Sequence, residues 1–339
     1  RRAGIAAALV LTASALSGCD FLVPPSGGSG GSCSTCGDGG NPAGPVDPGA
    51  QGPYTVGSLD FAVRVDPKDE SDFGKVQLTA FAPGVDDALR AGPYPVVLLT
   101  PARDVDRALG VSQYSGYARR LASYGITVVL QRPRDDSDLE KTRTESLLVI
   151  GWLRAPQGVY GPKLAPVLDM SRFGLLGHGS GGNLSVVLAS GLAGVRGVFA
   201  IDPAESTVTL TALGAISKVA LPEGVPIGLV GGTASQMGTP PCAPQMLGFE
   251  ALKAAAPQKA LAIAFLGAGL GEFVEDYGSC VACMMCAGTG APVARTRDLA
   301  IKYSAAYFLW TLRDRSEARA YLTGDKFAAD QKTGAVAAR

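Results

Sequence analysis

Histidine is nearly absent: the 339 residues contain one, His178. A nucleophile that needs an imidazole base must therefore use that position or do without. Net charge is absent as well, since 30 basic side chains face 30 acidic ones, which removes the electrostatic reason to expect nucleic acid as a partner. Charged residues make up only 18%, below the roughly 25% of ordinary soluble domains. Against these shortages stands a hydrophobic share of 47%, enough for one large buried core in a chain of this length.

The first residues have the pattern of an export signal. Arg1 and Arg2 precede a mostly apolar run, Ala3 to Leu16, that is too short to span a bilayer stably. The run ends in Leu16-Ser17-Gly18-Cys19, which resembles the lipobox of bacterial lipoproteins. The resemblance implies cleavage after residue 18, acylation of Cys19 and a lipid anchor in the bacterial cell envelope, with inner or outer membrane left open. An ordinary signal peptide with an incidental cysteine is the alternative. With no initiator methionine, translation is expected to begin upstream.

Export would put Cys33, Cys36, Cys242, Cys280, Cys283 and Cys286 in an oxidising compartment, where disulfides are the default. Their pairing is not legible from spacing. Cys280-x2-Cys283-x2-Cys286 also resembles part of a zinc or iron–sulfur ligand set. No histidine lies near it and the fourth thiol would be the distant Cys242, so disulfides are favoured and neither metal nor cofactor is expected.

Residues 19–52 are rich in Gly, Pro and Ser and cannot bury enough apolar surface to fold, so a tether is expected there. A single domain is expected over 53–325, with 326–339 as a C-terminal tail. Within it, 61–65 and 76–81 alternate like half-exposed strands, whereas 95–100, 126–130, 173–176, 198–201, 227–230 and 261–265 are near-continuous apolar runs. Helical segments fit between them at 113–124, 138–154, 181–191, 245–257 and 296–321. The expectation is an α/β fold: a mostly parallel sheet of about eight strands with helices on both faces.

The most informative segment is Phe173-Gly174-Leu175-Leu176-Gly177-His178-Gly179-Ser180-Gly181-Gly182-Asn183. A strand, a tight glycine turn and a helix are the context of the Gly-x-Ser-x-Gly nucleophile elbow. Together with the strand Pro95–Leu99, the stretch Leu121–Val129, Ala200-Ile201-Asp202-Pro203, Pro241-Cys242-Ala243-Pro244 and Gly267-Ala268-Gly269-Leu270-Gly271-Glu272-Phe273, it resembles the chlorophyllase and dienelactone-hydrolase-like branch of the α/β-hydrolases. The resemblance spans roughly residues 54–322 and implies the α/β-hydrolase fold. It puts Gly179 at the nucleophile position, Leu270 at the base position and Asp202 at the acid position. In the oxyanion loop a family His-Gly is replaced by Pro101-Ala102, followed by Arg103.

Two of three triad groups are thus missing, and catalysis by the family mechanism is not expected. Ser180 is the fallback nucleophile, but its hydroxyl would leave the first helical turn about 100° away from the nucleophile direction. The side chain of His178 is expected to point away from the oxyanion loop. Three readings follow. The leading one is a lipid-anchored binding or scaffold protein that uses the vestigial ester pocket (Ala102, Arg103, Ser180) for a hydrophobic or ester small molecule, or for an envelope protein. The second is an active carboxylic-ester hydrolase using Ser180 with Glu272 or Asp276 as base. The third is a structural envelope protein stapled by disulfides.

Overall fold

A computed structural model describes residues 46–69, 71, 74–102, 110–132, 134, 139–204, 224–236, 248–256, 260–275, 288 and 290–339. The fold is α/β. Its strands are β1 (Val56–Arg64), β2 (Lys75–Val85), β3 (Ala88–Leu89), β4 (Tyr94–Thr100), β5 (Thr127–Arg132), β6 (Leu168–His178), β7 (Val195–Ile201), β8 (Ile227–Gly232), β9 (Ala260–Phe265) and β10 (Val336–Ala338). The main helices are α1 (Ser115–Ser123), α2 (Leu139–Arg154), α3 (Ser180–Gly191), α4 (Phe249–Ala255), α5 (Val293–Arg313) and α6 (Asp325–Lys332).

The ten strands form one mixed sheet in the order β1-β2-β5-β4-β6-β7-β8-β9-β10, with β3 paired to β2. Strands β5, β4, β6, β7, β8 and β9 are parallel, while β1, β2, β3 and β10 join antiparallel. The apolar runs become the parallel strands because both of their faces are covered: every residue of β4 is buried, whereas β1 at the edge alternates. One face carries α1, α5 and α6, with Tyr117, Leu121, Tyr303, Tyr307 and Phe308 in its core. The other carries α2, α3 and α4, with Ile150, Leu153, Leu184, Val186 and Phe249.

Two boundaries differ from the sequence reading. Residues 46–52, expected in the tether, are bound to the domain: Tyr321 donates to the Val46 carbonyl (3.0 Å), Arg120 to the Pro48 carbonyl (2.7 Å), and the Tyr124 hydroxyl reaches the Asp47 and Ala50 carbonyls. Composition missed this because side chains elsewhere hold this backbone. The stretch read as a tail supplies α6 and the edge strand β10, which extend the sheet beyond the expected eight strands. Strands of two and three residues are too short to carry a periodic signal. No helix among the described residues is long and apolar enough to cross a membrane.

Candidate functional site

The parallel strands β4, β6, β7, β8 and β9 end on one edge of the sheet, the edge where open α/β sheets hold their ligands. There β6 finishes at His178, the chain turns at Gly179 and α3 starts at Ser180. Gly179 has φ 53° and ψ −123°, a conformation that glycine adopts freely and other residues adopt at a cost of about 1–3 kcal/mol. The turn is pinned from both sides. The Gly179 N–H donates to the Ile201 carbonyl (2.8 Å), and its own carbonyl accepts from Gly182, Asn183 and Ala204 (3.0, 3.2 and 3.1 Å). Side chains at 177 or 181 would press on the carbonyls of Gly181 or Thr100, so helix and strands approach closely only because both residues are glycine.

Three of the positions singled out by resemblance converge. A Cβ built on Gly179 would lie 3.0 Å from the Ala102 methyl and 3.5 Å from Leu270 Cδ1. The turn at Gly179 and the loops around Ala102 and Leu270 therefore meet at one point, and what meets there is apolar. Ala102 is buried and Leu270 half-buried. Ser180 is half-buried at the start of α3, whose Gly179 N-cap has no side chain to bond the helix.

Contrary to the expectation from sequence, His178 is linked through Tyr114 to the loop at Ala102. Its ring is 1% exposed, and its Nε2 lies 3.0 Å from the Leu270 carbonyl. A carbonyl only accepts, so Nε2 carries the hydrogen. Burial depresses the imidazole pKa to about 4 against the pull of that hydrogen bond, so the ring is neutral and Nδ1 is an acceptor. Nδ1 takes its bond from the Tyr114 hydroxyl (2.8 Å), and the Tyr114 oxygen accepts from the Ala102 N–H (3.0 Å). The result is a continuous relay: Ala102 N–H to Tyr114, Tyr114 O–H to His178, His178 N–H to Leu270. Tyr114 and Phe273 flank the imidazole, with ring centroids 5.8 and 5.9 Å away. Both ring nitrogens are thus engaged, and the Ala102 N–H is turned inward.

Asp202 is held on the other side of the elbow, at the end of β7. It is 2% exposed with φ 41°, and its oxygens accept from the Gly232 N–H (2.8 Å) and the Ser235 hydroxyl (2.5 Å). Burial pushes its carboxyl up to about 7, against those two hydrogen bonds. The partners of Asp202 tie the ends of β7 and β8 together, and the Ala234 N–H then reaches the Ala268 carbonyl (2.8 Å), two residues from Leu270. Glu272, one candidate base for Ser180, accepts from the Gly269 and Gly288 N–H groups (3.0 and 2.9 Å), so both its oxygens are engaged.

Tyr114 was not legible as a site residue. It lies twelve positions from Ala102 and 64 from His178 in the chain, with no motif around it, and only the closure of the sheet brings it in. Asn183, one turn into α3, is 1% exposed and neither of its amide atoms has a hydrogen-bond partner among the described residues. Arg103, Asp276 and the seven cysteines (Cys19, Cys33, Cys36, Cys242, Cys280, Cys283 and Cys286) lie outside the described residues. No group of three or more metal-ligating side chains occurs among the described residues. Comparison with models of protein families and with curated proteins gave no match to either.

Proposed function

We propose that this protein is a catalytically inactive α/β-hydrolase-like protein of the chlorophyllase and dienelactone-hydrolase type, anchored in the bacterial envelope through a lipid on Cys19. In this reading it binds a hydrophobic or ester small molecule beside the elbow. The observation that carries it is the backbone of Gly179. The turn keeps the strained form in which a nucleophile is presented, yet it presents no side chain, and Ala102 and Leu270 close on it. The strand-turn-helix at the carboxyl edge of a central parallel strand supports the fold name.

The chemistry supports inactivity on three counts. A serine hydroxyl needs a positioned base near neutral pH, and the chain's sole histidine already bonds Tyr114 and Leu270. The Ala102 N–H, an expected donor to a developing oxyanion, already donates to Tyr114. Both oxygens of Glu272 are already engaged by backbone N–H groups.

The test is labelling of the full-length protein with a fluorophosphonate probe, together with hydrolysis of short p-nitrophenyl esters. Neither is expected above background, while the thermal transition should rise with a fatty or aromatic ester. Labelling or turnover that disappears in Ser180→Ala would overturn inactivity. Failure of every such ester to move the transition would favour the structural, disulfide-stapled role instead.

A further inference from the structure

The edge of the sheet opposite the elbow holds a second candidate site, independent of the reading above. Near the start of β8 and β9, where α5 ends and α6 packs, lies a cavity of about 410 Å³. That volume falls within the range of about 300–1,000 Å³ usual for small-molecule sites. Its lining includes the buried apolar side chains Ile227, Leu322 and Phe327 and the half-buried Trp310.

The charged side chains of the lining have one sign. Arg319 and Arg339 both line the cavity and are exposed, and no acidic side chain lines it among the described residues. The Arg319 guanidinium lies 5.3 Å over the Trp310 ring, and it has no carboxylate partner among the described residues. Its nearest acidic neighbour in sequence, Glu317, is paired with Arg315. An apolar floor beneath unpaired guanidinium groups matches one kind of ligand: an anionic head on an apolar body. A guanidinium engages a carboxylate in a forked, two-bond geometry, and the floor removes the body from water.

We propose that this cavity binds an amphiphilic carboxylate, a fatty or aryl-alkanoic acid, with Arg319 on the carboxylate and Trp310 beside the chain. The position of the guanidinium over the indole couples headgroup binding to Trp310 emission. The chain has one other tryptophan, Trp152, which stacks on Phe61 in the opposite face of the fold. In a Trp152→Phe background the emission therefore reports this cavity alone.

The experiment is a titration of that protein with dodecanoate below its micelle concentration, with dodecanol and acetate as controls. Dodecanoate should change the emission saturably, dodecanol at least about tenfold more weakly, and acetate not at all. Arg319→Gln should weaken dodecanoate at least about tenfold. Thr323→Trp, an exposed change that fills the cavity, should abolish it while leaving the thermal transition in place. This last variant is read by calorimetry because it adds an indole. Absence of saturable binding, equal affinity for dodecanol, or affinity unchanged by both substitutions would overturn the assignment.

Discussion

The imidazole of His178 donates to the backbone carbonyl of Leu270 across 3.0 Å. The chain's one histidine thus binds the main chain of the residue that the resemblance to chlorophyllase-like hydrolases puts at the base position. Through Tyr114 the same ring reaches the Ala102 N–H, so a neutral relay ties together the loops around Ala102, His178 and Leu270. In this arrangement the imidazole and the phenol hold loops together.

Breaking the relay at its centre should therefore be costly. Tyr114→Phe removes one hydroxyl but leaves the Ala102 N–H and His178 Nδ1 buried without partners. Each orphaned group costs about 1–3 kcal/mol, and a loss of roughly 2–4 kcal/mol is expected in urea unfolding. In a double-mutant cycle with His178→Leu, the two losses should fall short of additivity by at least about 1 kcal/mol. Simple additivity would mean that the two side chains stabilise the fold independently.

Gly179→Ser puts a serine where the resemblance would place the nucleophile, and under the proposed reading it should still give no activity. The substitution puts a Cβ at positive φ and 3.0 Å from the Ala102 methyl. A cost of about 1–3 kcal/mol follows, which lowers the melting temperature by several degrees in a domain of this size. An unchanged or higher melting temperature would show that the turn accepts a side chain without strain.

The pH dependence of stability has two opposed parts. The folded pKa of His178, about 4, lies below its ordinary 6.5, so the unfolded chain binds more protons between those values. Its contribution is complete above about 6.5 and is lost as pH falls toward 4, a difference on the order of 3 kcal/mol. Asp202 is shifted the other way, from 3.8 up to about 7, so its contribution is present below 3.8 and is lost as pH rises toward 7. Between pH 4 and 6.5 the two slopes oppose each other. Asp202→Asn should therefore steepen the rise of the melting temperature with pH over that window, and His178→Leu should reverse it. Parallel profiles for wild type and both variants would refute the assignment.

Asn183→Leu should stabilise the protein. Both amide atoms of Asn183 are buried without partners among the described residues, an arrangement that costs about 1–3 kcal/mol per group relative to a satisfied site. Leucine has similar size and no polar atoms, and neighbouring Leu184 and Val186 already sit in an apolar cluster. A rise of at least about two degrees in melting temperature is expected, and a fall would mean that the amide has a partner in solution.

The α/β class and the turn at Gly179 follow from the sequence itself. Apolar runs such as 95–100 and 173–176, short and rich in aliphatic residues, fit strands covered on both faces, and a run of small residues between strand and helix permits their close approach. Those signals are local, recurring within a few residues of the chain. Strand β10, the binding of residues 46–52 and the role of Tyr114 were hidden for the opposite reason: each rests on partners a dozen to hundreds of positions away, as in the hydrogen bonds from Ala102 to Tyr114 and from Tyr321 to Val46. Strand β3 was hidden because two residues carry no periodic signal. The sequence by itself determined that glycine and leucine, rather than serine and histidine, stand at positions 179 and 270. Tertiary structure alone decided what became of the remaining groups. Folding buried His178, and burial keeps its ring neutral while Tyr114 and the Leu270 carbonyl take its two nitrogens.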